Sequence, residues 1–423
     1  MADFLGLSSK IIDSGEAGER TNRLTLELSE LAPGIAMVEA FGHVVVFDSG
    51  EGLVVFDTST RQPAGQIVAA IRSWSQAPVH TIVYTHGHVD HVGGAAVFLQ
   101  DAEERGHQRP RIVAHENVPR RFDRYDRTNG YNAIINARQF GGTRQVDFTR
   151  PQFMTGFVPP DVTFEERMQF RAGGLTFELH HALGETDDHT WAWCPEKRAI
   201  CSGDLMTWTF PNAGNPQKVQ RYPLEWAQAL RAMVAKEPEL LLPAHGLPIA
   251  GKERIALVLG EVAGALERLV EDVLAMMNNG ARLDEVVQAV HVPEGVLARP
   301  WLQPVYDEPE FVVRNTWRMY GGWYDGNPAH LKPAPDAELG AEMARLAGGA
   351  LLLAERGREL AKAGDLRLAS HLVEAAALAA PEDRDVHRLR AEVYDIRQAA
   401  ERSLMARGIF RAAALESREK AGE

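Results

Sequence analysis

Thr85-His86-Gly87-His88-Val89-Asp90-His91-Val92-Gly93-Gly94 packs three histidines and an aspartate into six consecutive positions. The stretch ends the apolar run His80–Thr85, which reads as a buried strand, and leads into an apolar helical pattern near Gly93–Leu99. A rigid strand end can aim such side chains into a cleft. Buried imidazoles and carboxylates without partners are costly, so a turn this dense in them is economical only where a cation neutralises it. Neutral imidazole combined with carboxylate suits zinc or a similar first-row metal. Gly87, Gly93 and Gly94 let the backbone turn sharply and pack closely.

Outward from this turn, the first 250 residues read as alternating strands and helices. Ile35–Phe41, Val44–Phe47 and Leu53–Phe56 are short apolar runs punctuated by Gly42, Gly50 and Gly52, as in a strand meander. A helix is expected around Gln66–Trp74, and further strands at Arg111–His115, Leu175–His181, Thr190–Trp193, Ala199–Cys201 and Leu240–Pro243. Such a mixture implies sheets covered by helices, an α/β layered domain over residues 1–250.

The character changes after Gly251. Ile255, Leu259, Val262, Leu266, Leu269, Val273 and Met276 recur at steps of three and four, which predicts one long helix with a single apolar seam, ending at Asn279-Gly280. An aromatic-rich segment containing Phe311–Pro328 follows, and Ala337–Glu416 is helical in periodicity throughout. Within it, Gly357, Gly364, Ala369, Ala376 and Pro381 match the spacing of a tetratricopeptide-type helical hairpin, which needs neighbours to cover its apolar face. Residues 251–423 are therefore expected to form an all-α domain, serving either as an interaction module or as simple helical packing.

At 423 residues the chain exceeds one ordinary core, and 45% hydrophobic with 24% charged residues is a soluble globular composition. The formal net charge of −13 argues against a broad nucleic-acid surface. No secretory signal or membrane-spanning run is readable, so a cytoplasmic protein is expected. The two cysteines, Cys194 and Cys201, read as reduced, buried thiols rather than a disulfide or a nucleophile.

The pattern His-x-His-x-Asp-His resembles the hallmark of the metallo-β-lactamase superfamily, whose fold is an αββα sandwich. The resemblance implies that His86 and His88 hold one metal, and Asp90 and His91 a second. Where that family places the third ligand of the first metal, this chain reads Gly184-Glu185-Thr186, so Glu185 stands at the ligand position. Ser202-Gly203-Asp204 fits the bridging acid, and Pro243-Ala244-His245-Gly246 fits the last histidine. The implied set is His86, His88 and Glu185 on one zinc ion, Asp90, His91 and His245 on the other, and Asp204 between them. Two such ions would share a hydroxide whose pKa falls toward neutrality; Asp90 and Asp204 are the acids closest to that chemistry. No organic cofactor is implied.

Glutamate at the third position is similar to the alkyl sulfatase branch of the superfamily. Trp317-Arg318-Met319-Tyr320-Gly321-Gly322-Trp323-Tyr324-Asp325-Gly326-Asn327-Pro328 resembles the signature of that branch's helical dimerisation domain, which implies a homodimer. Together the two resemblances cover roughly residues 30–400. There are departures. The branch usually adds a C-terminal lipid-carrier-like domain, and none is expected in a sequence that stops at Glu423. Its sulfate-binding segment has an Asn, matched by Asn212, and then an Arg, whose place falls near Gln217 with Lys218 and Arg221 as substitutes. The bridging acid is Asp204 where the branch tends to have Glu, and no counterpart of its leaving-group histidine is evident.

Arg120, Arg121, Arg124, Tyr125, Arg127 and Tyr131 crowd one loop; they either orient an anionic ester or form a solvated cationic helix face. Tyr125 and Tyr131 are kept as substrate contacts with Asn212, Lys218 and Arg221. Asp57 stands where the family supports the ligand loop from behind. His115 is read as a hydrogen-bonded surface histidine, His189 as a capping or packing residue, and His43 and His180 as structural. Trp323 and Tyr324 are read as helix packing with one edge exposed.

Three functions are compatible with these residues. The first is hydrolysis of a sulfuric ester; the second keeps the site but takes a carboxylic ester, lactone, thioester or phosphoester. The third is a non-catalytic assembly protein with structural metals, against which weighs a ligand set that leaves positions open for water.

Overall fold

The structure is a computed structural model that describes residues 3–16, 20–140 and 153–423. Two mixed sheets lie face to face. The first runs β1 (Leu28–Ala32), β2 (Ile35–Val38), β3 (Val44–Asp48), β4 (Leu53–Phe56), β5 (Val79–Val83), β6 (Arg111–His115) and β7 (Val162–Phe164) in spatial order, antiparallel through β4 and parallel from β4 to β7. The second contains β8 (Arg167–Ala172), β9 (Leu175–Ala182), β10 (His189–Cys194), β11 (Ala199–Gly203), β12 (Leu240–Pro243) and β13 (Ile249–Ala250); in it β11 and β12 are parallel.

The central strands β2, β3 and β4 are apolar on both faces because both faces are covered. Met37, Val45, Phe47, Val54 and Phe56 point between the sheets. Val38, Val44, Val46, Leu53 and Val55 point outward, under the helices Ala64–Trp74 and Ala95–Glu104. Phe47, Phe56 and Phe177 form an aromatic triangle between the sheets, with ring centroids 5.3–5.8 Å apart. On the far side, the second sheet is covered by helix Pro223–Ala235 and the long helix Lys252–Asn278. The expected αββα sandwich is what forms.

The long helix buries its predicted seam, Ile255, Leu259, Val262, Leu266, Leu269 and Val273, in the same apolar cluster as the inter-sheet core. Behind it, helices pack pairwise. Ala350–Lys362 and Leu366–Ala379 form the expected hairpin, and Gly357 lies at their crossing, where an added Cβ would stand 2.7 Å from Val373 Cγ1. The last helix, Leu404–Ala421, returns to the sandwich and packs on helix Asn129–Gln139.

Several elements differ from the sequence expectations, among them the stretch carrying Arg120–Tyr131, expected as a loop, which forms the helices Asn117–Arg127 and Asn129–Gln139. Helix Phe4–Ser14 buries Phe4, Ile11 and Ile12, a face interrupted in sequence by Gly6, Ser8 and Ser9. Strand β8 is polar at alternate positions and carries only Phe170 and Ala172 into the core. Pro309–Gly321, inside the aromatic segment, is a regular helix. Cys194 and Cys201 are free and buried; the pairing of Cys194 with Ala199 and of Cys201 with Ala192 keeps them from facing each other. No helix among the described residues is long and apolar enough to cross a membrane.

Candidate metal centre

The parallel strands β4, β5 and β6 end on the same edge, as do β11 and β12, and the site is assembled from residues just past these ends. Asp57 comes after β4, the His86–His91 turn after β5, Asp204 after β11 and His245 after β12. Asp57 sits in the left-handed region at φ 60°, and strain of this kind persists only where surroundings enforce it. Its Oδ1 accepts the Thr85 N–H at 2.7 Å; its Oδ2 accepts the Thr85 hydroxyl and the His91 Nδ1–H, each at 2.8 Å. This directs Nε2 of His91 into the site and fixes its tautomer. The turn fits because Gly94 and Gly42 lack side chains: an added Cβ would lie 2.1 Å from Thr58 O at the first and 2.0 Å from Asp90 O at the second.

The seven side chains implied by the resemblance converge in two groups, His86, His88, Glu185 and Asp204, and Asp90, His91 and His245. Asp204 reaches both. Its Oδ2 is 3.7 Å from His86 Nε2, and its Oδ1 is 3.4 Å from His91 Nε2 and from His245 Nε2. Asp90 Oδ2 stands 3.5 Å from His91 Nε2 and 3.3 Å from His245 Nε2. Ligands about 2.1 Å from a tetrahedral ion lie about 3.4 Å from one another. The four separations around the second group are those of such a tetrahedron. In the first group His86 Nε2 and His88 Nδ1 are 2.8 Å apart, and His88 Nδ1 is 3.8 Å from Glu185 Oε1.

Electrostatics favour a cation here. Asp204 Oδ1 and His91 Nε2 are buried without a hydrogen-bond partner among the described residues. Burial drives the His86 and His88 imidazoles far below their usual pKa, the neutral state that a ligand requires. Burial also opposes charge on His245, yet Asp204 and Asp90 outweigh it and lift the group to about 10. His91 is raised for the same reason, by Asp204, Asp90 and Asp57. A field that pulls protons onto buried imidazoles is one that a divalent ion would neutralise better.

Glu185 is the least ordinary member. Burial raises its pKa to about 7 against the opposing pull of Arg221. Its Oε1 accepts from Asn212 Nδ2 and lies 2.6 Å from Arg221 Nη1. The loop that carries it is held by Asp188, whose Oδ2 accepts the Gly87 N–H at 2.9 Å and the Arg121 Nε–H at 2.8 Å. Arg121 is thus a buried brace between Asp187 and Asp188, and only Arg120 and Arg127 belong to a solvated face.

A cavity of about 720 Å³ opens beside both groups. Tyr125, Tyr131, Asn212, Lys218 and Arg221 all line it, as does Arg124. Tyr125 is buried against Phe153 and Phe157, whereas Tyr131 is exposed. Lys218 Nζ donates to Asn136 Oδ1 at 3.2 Å, and burial lowers the lysine to about 8. Gln217 also lines the cavity and donates to Ile135 O at 3.3 Å.

His189 accepts the Asp204 N–H on Nε2 at 3.1 Å, which orients the bridging acid. His43 spans the Ala40 N–H and the Gly246 carbonyl, fastening the loop that bears His245. His180 stacks on Trp191. His115 is buried, not superficial, because it stacks on His181 with centroids 3.8 Å apart. Trp323 is 68% exposed and lies off the cavity, because the helix before it ends at Gly321 and Gly322 turns the chain at φ 81°. Sequence reasoning missed Tyr306 and Asp307. Tyr306 lines the cavity and accepts from Gln139 Nε2 at 2.7 Å; Asp307 is buried beneath the 212–221 loop.

Residues 38–245 match the model of the metallo-β-lactamase superfamily, and residues 282–420 match the alkyl sulfatase dimerisation model. A linear primary-alkylsulfatase of Pseudomonas sp. is 26% identical over 76% of this chain and 63% of its own length. An (R)-specific secondary-alkylsulfatase of Pseudomonas sp. is 25% identical over 87% and 59%. The chain spans about three fifths of the length of these relatives. The solved structure of a stereoselective inverting sec-alkylsulfatase from Pseudomonas sp. superposes with a TM-score of 0.80 at 21% identity, covering 93% of this chain and 66% of that one.

Proposed function

The chain is a member of the metallo-β-lactamase superfamily in its first part and carries an alkyl sulfatase dimerisation domain in its second, and from that premise we propose that it is a binuclear zinc hydrolase of sulfuric esters. The observation that carries the reading is Asp204, whose two oxygens face different ligand groups. The names of the two relatives above, both alkylsulfatases, supply the ester class.

His86, His88 and Glu185 would hold one ion and Asp90, His91 and His245 the other, with Asp204 shared. A bound pair supplies Lewis acidity and brings the pKa of water toward neutrality. The chain itself does the rest. Asp57 and His189 fix the orientation of His91 and Asp204. Lys218 and Arg124 place positive charge along the cavity for an anionic head group. Tyr125 forms part of the cavity wall. In the helical part, Leu339, Leu346 and Leu352 stay exposed at 53–73%, which fits their burial against a second copy in a homodimer.

Sulfate release from a medium-chain alkyl sulfate by zinc-loaded protein, lost in Asp204→Asn, is the expected result. One observation favours a second reading. Arg221, a candidate for the sulfate, already pairs with Glu185, which leaves fewer cations for the anionic sulfate group and suits a carboxylic ester, lactone or thioester. Turnover of those esters with no sulfate release would establish that alternative.

A further inference from the structure

The loop 212–221 joins the candidate site to the helical region. Asn315, buried in the middle of helix Pro309–Gly321, donates from Nδ2 to Ala213 O at 3.0 Å and to Arg221 O at 2.8 Å. Its Oδ1 accepts from Gln220 Nε2 at 3.0 Å and from the Arg221 N–H at 3.4 Å. Asp307 is fully buried; its Oδ2 accepts the N–H groups of Gly214 at 2.7 Å and Asn215 at 3.0 Å, and its Oδ1 that of Glu308 at 2.7 Å. At Gly214 the loop rests directly on the helix, where an added Cβ would meet the Phe311 carbonyl carbon at 2.4 Å. The two ends of this loop carry Asn212 and Arg221, which both reach Glu185 Oε1, and Arg221 Nη1 also donates to Asn212 O at 3.0 Å.

We propose that Asn315 and Asp307 are positioning residues for Glu185: by pinning 212–221 from the helical region, they hold Asn212 and Arg221 against the carboxylate and so set how tightly the first ligand group binds its ion. The inference rests on the metal-hydrolase reading above, and it assigns the helical region a task in the site beyond assembly. Nothing in packing alone calls for an amide at 315. An apolar side chain there would fill the space but leave the Ala213 carbonyl and the Arg221 N–H unpaired, with Gln220 Nε2 alone still donating to the Arg221 carbonyl, and buried backbone groups are nearly always paired.

The test compares wild type, Asn315→Ala, Asp307→Asn and, as a stability control, Leu353→Ala, which opens a cavity in the remote helical hairpin. Competitive zinc titration against a chelator resolves the two ions, with Glu185→Gln and His245→Gln identifying the two steps. Asn315→Ala should weaken the Glu185 step by about tenfold or more, the size typical of groups that orient a metal ligand, and the His245 step by less than threefold. Leu353→Ala should lower the melting temperature and shift neither step. Amide exchange of metal-free protein is read in parallel, and residues 213–221 should exchange faster in Asn315→Ala and Asp307→Asn only. Equal weakening of both steps, or unchanged exchange in the loop, overturns the proposal. If the wild type binds no zinc, the hydrolase reading fails by itself, and faster loop exchange in the two variants still supports the bracing while its absence refutes it.

Discussion

The two ligand groups are built differently. Asp90, His91 and His245 are held from within the sandwich: Asp57 fixes His91, His43 fastens the His245 loop, and their distances to one another and to Asp204 already match the edges of a tetrahedron. His86, His88 and Glu185 are looser, and the carboxylate depends on Arg221 and Asn212, which depend in turn on a helix a hundred residues further along. A rigid second group suits a permanent ion. A first group whose carboxylate sits among cations suits one whose affinity and charge are tuned by surroundings, and it leaves the cavity side open to substrate.

The variant that should remove the distinction altogether is Asp204→Asn, because that residue serves both groups. Both zinc steps should weaken and turnover should fall to background, as measured by metal content and sulfate release on the same sample. Asp57→Ala should sharpen the contrast. It frees the His91 ring and strands the buried Thr85 N–H, so the second step should weaken about 10- to 100-fold, with a stability cost of about 1–3 kcal/mol and a smaller change in the first step.

Acid should expose the same asymmetry in metal-free protein. Burial lowers His43 and His189 from the usual 6.5 to about 4, with His245 adding to the effect at the first and His91 opposing charge at the second. Between those values the unfolded chain takes up protons that these two folded-state imidazoles refuse, so their contribution to stability is full above pH 6.5 and falls as pH drops toward 4. Each imidazole contributes a slope of up to about 1.4 kcal/mol per pH unit. Denaturant unfolding at stepped pH should show this fall, and His43→Gln should make it shallower. The smallest effect on the site is expected from Leu353→Ala, which should cost about 2–5 kcal/mol in the helical hairpin and leave both zinc steps in place.

Legibility in the sequence tracked the range of the signal. The His86–His91 turn is dense and local, so its chemistry is evident from six residues. Glu185, Asp204 and His245 were found because each lies beyond a strand and occupies a family position. The long helix was legible because its seam repeats over many turns. Strand β8 was not, since its alternation spans only six residues and places just two fully buried side chains in the core, and neither was helix Phe4–Ser14, whose glycine and serines weaken the pattern. Asp307, Asn315 and Tyr306 were invisible for a different reason. They act across 90 residues or more through hydrogen bonds to backbone and side chains, which leave no periodicity and demand no motif. Arg221 shows the limit from the other side: the sequence offers it as a sulfate contact, and only coordinates reveal that its guanidinium is engaged by Glu185.

Anomalous scattering at the zinc edge from crystals of the zinc-loaded protein tests the central claim most directly. Two peaks are predicted, one amid His86, His88, Glu185 and Asp204 and the other amid Asp90, His91, His245 and Asp204. A single peak, or a second ion placed without Asp204 between the two, would contradict the account.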